Sequence, residues 1–456
     1  MYRFRFENTD NTSQYEELIK EFLMPDQYEI VREGADFSYP NAEKANRDEV
    51  KKKLYRDLAE CTGKKPRWGI LTGIRPVKLA GEILDRGENP LEALKGSYLV
   101  EKSKALLATE ILDYQRELLG KPEGGSFSLY IGIPFCPTRC LYCSFTSNQV
   151  KDAEIERYLE ALHIEIEYAG KAAAEAGLKL ESVYFGGGTP TTLKSKQLDL
   201  LLQKTEKAFD LRAIKEFTVE AGRPDTITRE KLEVLRSHGV DRISINPQTM
   251  KESTLKLIGR RHSVEDVYRA FEAADNTGFD TINADLITGL PEETFDDFRE
   301  SLREVIKLGA ANITLHTLAV KRASGLKEMD ENFNYRREEL GEIMLDYAHG
   351  ELRKNGFRPY YLYRQKHTSG NTENTGFCLD DKASVYNVRI MEEAQSILAL
   401  GAGGISKVYF PEENRLERVA NVSNYEIYIQ RIREMIERKN KGFFYSRRKK
   451  DVNKCT

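Results

Sequence analysis

Leu129–Phe145 reads LYIGIPFCPTRCLYCSF, an apolar run that delivers three cysteines, Cys136, Cys140 and Cys143, within eight residues. The run predicts a buried strand over Leu129–Phe135, with the prolines and cysteines behind it forming a loop. Working outward, the same strand-then-helix rhythm repeats. Further strands are predicted at Ser182–Phe185, Glu216–Glu220, Val240–Ile245, Phe279–Ile287 and Asn312–Leu318. Between them lie amphipathic segments at Asp152–Ala176, Ser195–Phe209, Thr228–His238, Ser263–Thr277 and Thr294–Leu308, each opening on a residue of N-capping type. Alternation at this spacing means βαβ units and a parallel sheet. Six such units predict an α/β fold, a partial (β/α)6 barrel open on one side, with its chemistry at the C-terminal ends of the strands.

Residues 1–125 do not share the rhythm. A short strand, Tyr2–Phe6, and helical stretches at Asn46–Cys61, Pro76–Arg86 and Tyr98–Leu119 predict an N-terminal α+β accessory domain that ends at the turn-rich KPEGGS. The barrel is expected over 126–320. A charged helix at Tyr335–Lys354 and the aromatic run RPYYLYR predict a C-terminal α+β extension over 321–456 that covers the substrate. The 70 basic and 73 acidic residues leave a net charge of −3, so no broad positive field invites nucleic acid or an acidic membrane. No apolar stretch approaches the roughly 18 residues of a membrane span, and MYRFRFENTD has no export-signal pattern, so a cytoplasmic protein without membrane insertion is expected.

Of six cysteines, three are clustered, while Cys61, Cys378 and Cys455 are scattered. A disulfide framework would spread them through a small secreted domain. Three thiolates in one loop can instead hold three corners of a [4Fe–4S] cluster. The fourth iron then lacks a protein ligand and can chelate the amino and carboxylate groups of S-adenosylmethionine. A structural zinc site would need a fourth ligand, and none lies nearby in sequence. After the second strand, YFGGGTP at Tyr184–Pro190 lets backbone approach a ligand closely. Glu220, Gln248, Arg260 and Asp285 stand at or near the following strand ends. A carboxylate inside a parallel strand is costly unless partnered, so Asp285 needs either an ion pair with Arg260 or a ligand. Four polar groups converging on one end of one sheet favour the ligand.

Together YIGIPFCPTRCLYCSF, FGGGTP, VEAGRP, RISINPQT, LIGRRH and ADLITGLP resemble the oxygen-independent coproporphyrinogen III oxidases (dehydrogenases) of the radical S-adenosylmethionine superfamily. RWGILTGIRPVK and YYLYRQK with NTENTGF are similar to its HemZ-type branch. The likeness runs from about Leu129 to Leu318 and resumes at LALGAGGISK. It implies a barrel of the radical S-adenosylmethionine type and a [4Fe–4S] cluster on Cys136, Cys140 and Cys143. It places S-adenosylmethionine at Tyr130, Tyr142, Gly187, Gly188, Thr189, Glu220, Gln248, Arg260, Asp285, Ala319 and Ile405, with Tyr130 and Tyr142 also as catalytic residues. Arg260 would take the methionine carboxylate and the glycines the amino group. Gln248 and Asp285 would hold ribose hydroxyls, and Ala319 and Ile405 would border the adenine.

The implied activity is oxidative decarboxylation of coproporphyrinogen III to protoporphyrinogen IX in anaerobic heme biosynthesis. A porphyrinogen substrate and a low-potential electron donor are the expected partners. Arg322, Arg364, Lys366 and Lys407 are the candidate cations for the substrate carboxylates. One departure keeps alternatives open: Cys143 is followed by Ser144 and Phe145, an ending shared with heme-binding chaperones of the same family. A radical methyltransferase or heme-opening enzyme on the same scaffold is the third reading.

Overall fold

Phe6 stacks on Tyr15 and Tyr39, with ring centroids 4.7 and 5.2 Å apart, and this aromatic seam organises the smaller of two sheets. The computed structural model describes residues 1–9, 11–40, 42–43, 47–73, 75–143, 147–319, 338–365 and 372–444. In the small sheet β1 (Tyr2–Phe6) pairs in parallel with both β2 (Tyr28–Ile30) and β3 (Phe37–Tyr39). Helix Arg47–Thr62 adds Val50, Leu54 and Leu58 to the same core. Helices Pro76–Asp85, Pro90–Ser97 and Lys102–Leu118 form a second cluster around Trp68, Ile83, Leu94 and Ile111.

The large sheet begins at β4 (Ser126–Ile133), buried on both faces along nearly its whole length, as a strand within a parallel sheet must be. Next to it, in chain order and all parallel, lie β5 (Lys179–Gly187), β6 (Glu216–Glu220), β7 (Arg242–Ser244), β8 (Thr281–Thr288) and β9 (Asn312–Thr317). Helices Asp152–Glu175, Ser195–Ala208, Arg229–Ser237, Val264–Asn276 and Phe295–Lys307 return the chain between them. Thr228, Ser263 and Thr294 cap their helices, accepting the backbone N–H of Lys231, Asp266 and Asp297. Asp152 and Ser195, expected as caps, are instead the first helical residues, behind Lys151 and Lys194. Asp152 there places its negative charge on the positive end of the helix dipole. Gln197, in the first turn, accepts the N–H of the N-cap residue Lys194 at 2.8 Å, the reciprocal bond of a capping box.

The sheet continues past the six predicted strands. On the β9 side, β11 (Glu373–Leu379) and then β10 (Phe357–Arg364) join antiparallel. On the other side β12 (Ser396–Leu400) lies parallel to β4, followed by antiparallel β13 (Ile405–Phe410) and β14 (Arg415–Ala420). The partial barrel is thus the middle of an eleven-stranded sheet, and residues expected as a covering extension supply both of its flanks.

Buried ion pairs fasten the surrounding segments. Glu373 at the start of β11 receives the Lys104 ammonium at 2.6 Å and the Trp68 indole N–H at 2.8 Å. Glu165, fully buried in helix Asp152–Glu175, pairs with Lys439 of the helix Ile432–Lys439 at 2.6 Å and accepts the Gly401 N–H at 2.7 Å. Among the described residues no helix is long and apolar enough to cross a membrane.

Candidate cluster and cofactor site

Past β4 the cysteine loop is pinned at its stem and at its tip. The Cys136 N–H donates to Asn148 O at 3.1 Å, and the Asn148 N–H donates to Pro134 O at 2.9 Å. At the tip the Cys143 N–H closes a turn on Cys140 O at 3.1 Å, and the Leu141 N–H reaches Ile258 O at 2.9 Å. The end of β5 presses against this loop because residue 188 is glycine. A Cβ there would meet Phe135 O at 2.5 Å and Cys136 Sγ at 3.0 Å. Thr189 follows, its N–H on Phe135 O at 2.8 Å and its hydroxyl 3.4 Å from Cys136 Sγ. Arg223, in the loop after β6, lies 3.9 Å from Cys140 Sγ and donates to the Thr138 hydroxyl at 2.9 Å. Burial pushes the Cys136 thiol up to about 11, so a metal must displace its proton. Among the described residues no three His, Cys, Asp or Glu gather tightly enough to hold a single ion. A cubane does not need that, because each of its thiolates sits on a different iron.

The strand ends hold polar groups that the fold leaves unused. Gln248 is buried in the left-handed region at φ 68°, where a side chain costs about 1–3 kcal/mol. Its N–H donates to Asp285 O at 2.9 Å and its carbonyl accepts the Ile287 N–H at 3.0 Å, so β8 holds it there. Its side-chain Oε1 is buried without a partner. Arg260, also buried, donates from Nη1 to Asn246 O at 2.6 Å and Gly222 O at 3.3 Å, and its Nε lacks a partner. Asn246 Oδ1 is a third unpartnered atom. Each orphan of this kind costs about 1–3 kcal/mol, which a small polar ligand would relieve. The donor set therefore fits both an iron–sulfur cluster and a zwitterionic cofactor.

Glu220, at the end of β6, accepts the Tyr184 hydroxyl at 2.6 Å. Burial, seconded by nearby Asp285, pushes its carboxyl up to about 7 despite that bond. Tyr130, Tyr184 and Tyr386 stack in a mutually contacting trio, with centroids 6.3 Å (Tyr130–Tyr184), 4.4 Å (Tyr184–Tyr386) and 6.2 Å (Tyr130–Tyr386) apart, and burial raises all three phenols. Tyr142 lies instead beside Arg260 and Cys140. Asp285 does not pair with Arg260. It lies 3.4 Å from His316 Nε2, whose Nδ1 is 3.2 Å from the Tyr363 hydroxyl. Ala319 sits two residues past β9. Ile405, half exposed at 49%, opens β13 beyond the opposite flank.

Arg223, Asn246, His316, Tyr363 and Tyr386 were not singled out from sequence. Arg223 and Asn246 sit inside VEAGRP and RISINPQ, and His316 lies two residues beyond Thr314 on one face of β9. Two proposed substrate cations are spent on the fold. Arg364 is buried, donating to Leu71 O and lying 3.5 Å from Glu21 and 5.4 Å over the Trp68 ring. Lys407 donates to Ile390 O and Glu393 at 3.3 Å, and burial and Arg75 lower it to about 8. Arg322, Lys366, Ser144, Phe145 and Cys455 lie outside the described residues.

Comparison with known proteins matches residues 130–305 to the radical SAM superfamily. The chain is 41% identical over 400 residues to the oxygen-independent coproporphyrinogen-III oxidase-like protein HemZ of Bacillus subtilis, covering 85% of this chain and 79% of that one. It is 36% identical over 195 residues to the heme chaperone HemW of Bacillus subtilis, covering 42% of this chain and 51% of that one. Among solved structures, the coproporphyrinogen III oxidase HemN of Escherichia coli shares the fold, with a TM-score of 0.54 and 22% identity over 73% of each chain. With 85% of its length aligned to HemZ, the chain belongs to the family of oxygen-independent coproporphyrinogen-III oxidase-like proteins, within a superfamily whose members bind a [4Fe–4S] cluster and S-adenosylmethionine.

Proposed function

We propose that the protein is an oxidoreductase that converts coproporphyrinogen III to protoporphyrinogen IX. The observation that carries the site is the gathering of three thiols with the unpartnered buried atoms of Gln248 and Arg260 at one end of one parallel sheet. The substrate rests on the HemZ likeness, which at 400 residues reaches well beyond the barrel. Cys136, Cys140 and Cys143 would hold the cluster, and Gly187, Gly188, Thr189, Gln248, Arg260 and Asp285 the S-adenosylmethionine. Tyr130, Tyr142, Glu220, Ala319 and Ile405 would border it. Bound together, these two groups supply a strong hydrogen-atom acceptor at the mouth of the barrel. Arg260 offers its spare Nε to a carboxylate, and Gln248 Oε1 accepts from a hydroxyl or ammonium. The tyrosine stack walls the site below, excludes water and stays protonated because burial disfavours phenolate. On the substrate, a hydrogen atom leaves the propionate carbon next to the ring. Loss of carbon dioxide, and of one electron to an acceptor, then leaves a vinyl group, and a second propionate follows.

A heme-carrying role is the second reading, supported by the HemW likeness and by the Ser144–Phe145 ending. The test is anaerobically reconstituted protein with reductant, S-adenosylmethionine and coproporphyrinogen III, with products detected by fluorescence after oxidation. Tri- and dicarboxylic porphyrins are expected. Cofactor cleavage without such products, together with tight heme binding, replaces oxidation by chaperoning.

A further inference from the structure

The runs YYLYRQK and NTENTGF fall across β10 and β11, outside the radical SAM match over residues 130–305. Because β11 stands between β10 and β9, a β10 side chain reaches β9 only by crossing over it. Gly376 makes that crossing possible. It pairs with Tyr361 on one side and Thr314 on the other, and a Cβ there would fall inside the Tyr361 ring. A glycine within a strand gives up packing of its own and marks such a close approach. Across the gap the Tyr361 hydroxyl donates to the Thr314 hydroxyl at 3.3 Å. Tyr363 stacks along Tyr361, with centroids 6.3 Å and planes 8° apart. It thereby meets His316, two residues beyond Thr314 and so on the same face of β9.

The contacts that follow run in one direction. Gln365 Nε2 donates to the Tyr363 hydroxyl at 3.4 Å, which leaves that oxygen's own proton for His316 Nδ1 at 3.2 Å. Burial raises the Tyr363 phenol, so the proton stays on it. At the far side of the ring, His316 Nε2 lies 3.4 Å from Asp285 Oδ2, and a carboxylate only accepts. Nε2 therefore carries the proton of the neutral imidazole, and Tyr363 selects that same tautomer from the other nitrogen. The His316 and Asp285 side chains are 28% and 22% exposed, so a ligand can reach this end of the chain of donors.

Resting on the assignment of S-adenosylmethionine to these strand ends, we propose that Gln365, Tyr363 and His316 form a one-way donor chain that holds Asp285 in position for the cofactor's ribose hydroxyls. His316 is a positioning residue that acts through Asp285, and Tyr363 acts through His316. With Oδ2 tied to an imidazole N–H, the plane of the carboxylate is fixed and Oδ1 is left to accept from the ligand. A histidine of the other tautomer would turn a lone pair on the carboxylate and push it away.

The experiment uses the cluster-loaded full chain and S-adenosylmethionine as the probe, with binding measured by equilibrium dialysis at about pH 8, where imidazole is neutral. H316Q places an amide N–H where Nε2 stood, while H316N reaches only the Nδ1 position. H316N should weaken binding roughly tenfold, the loss of one hydrogen bond to a charged group, and H316Q should recover most of it. Y363F should weaken binding roughly threefold or more beside His316 and should add nothing in the H316Q background, because an amide has no tautomer to select. A 2′,3′-dideoxy analogue of the cofactor should bind H316N and H316Q alike. Binding by H316N that matches the wild type, H316Q as weak as H316N, or an equal loss from Y363F in both backgrounds overturns the chain. An analogue that still separates the two variants overturns the ribose as its target. A wild-type chain that binds no S-adenosylmethionine overturns the cofactor assignment instead.

Discussion

Glu373 and Arg260 are both buried charges, at 0% and 7% exposure, yet they sit in opposite kinds of surroundings. Around Glu373 both carboxylate oxygens are met, one by Lys104 and one by Trp68, and these bonds hold its carboxyl at about 2 against the cost of burial. Around Arg260 the donors exceed the acceptors, and Gln248 and Asn246 add acceptors with nothing to accept. The first region spends its polar groups on joining segments far apart in the chain, and the second holds them in reserve. Buried charge alone therefore does not mark a binding site in this protein. What sets the second region apart is that unpartnered buried atoms of three residues, Gln248, Arg260 and Asn246, come together at the strand ends.

The contrast breaks first, and most severely, at the thiols. Ala at any one of Cys136, Cys140 or Cys143 should take iron from about four per chain to nearly none and erase the visible charge-transfer absorption. Ala at exposed Cys61 should change neither.

Next in size is the Lys104–Glu373 lock. Lys104→Met strands a buried carboxylate and should cost about 3–5 kcal/mol of unfolding free energy, while S-adenosylmethionine binding is untouched. Because the folded pKa of Glu373 is depressed, its stabilisation is present above about pH 4.5 and lost as pH falls towards about 2. Denaturant melts across that window should show the wild type losing this increment and the variant lacking it throughout.

Gln248→Ala is the converse test. It removes an orphan acceptor while keeping a Cβ at the same φ, so the melting temperature should hold or rise. Equilibrium dialysis should show cofactor binding weakened roughly tenfold, the loss of one hydrogen bond to a charged or polar group. A variant that melts early and binds normally would sink the distinction drawn here.

Glu220 sharpens it with pH. Its carboxyl is raised in the fold to about 7, so it costs stability as pH climbs from about 4.5 through that value. Glu220→Gln should raise the melting temperature at about pH 8 and do little at about pH 5.

The smallest effect is expected at His238, far from both regions, whose two ring nitrogens each meet a carboxylate, Asp199 and Glu206, at 2.8 Å. Partial burial lowers its pKa, but the two bonds outweigh that and raise it. The stabilisation is full below about pH 6.5 and fades as pH rises past the folded pKa. With both carboxylates more than a third exposed, His238→Gln should cost about 0.5 kcal/mol at about pH 5.5 and less at higher pH.

Local signals were legible in the sequence, and pairings across the fold were not. The six central strands announced themselves by apolar runs alternating with capped helices, and the cysteine loop by spacing. The flanking strands did not, because β10 finds its place through β11 and β9, and β12 through β4 some 270 residues earlier, Ser396 against Phe127. Sequence placed Arg260 and Asp285 at one end of the sheet but could not give their directions. Asp285 turns to His316 on the next strand, while Arg260 turns back to Asn246 and Gly222. Arg364 looked like a substrate cation because a polyanionic substrate needs local positive charge in a chain whose net charge is −3. Only the docking of Leu71 and Trp68 from the N-terminal region shows it to be committed.

The left-handed backbone at Gln248 carries a kinetic consequence. Two backbone hydrogen bonds to β8 set its conformation during folding, so this residue does not have to find its shape when the cofactor arrives. Association at this end of the barrel should then follow a single exponential whose rate scales with ligand concentration and does not level off.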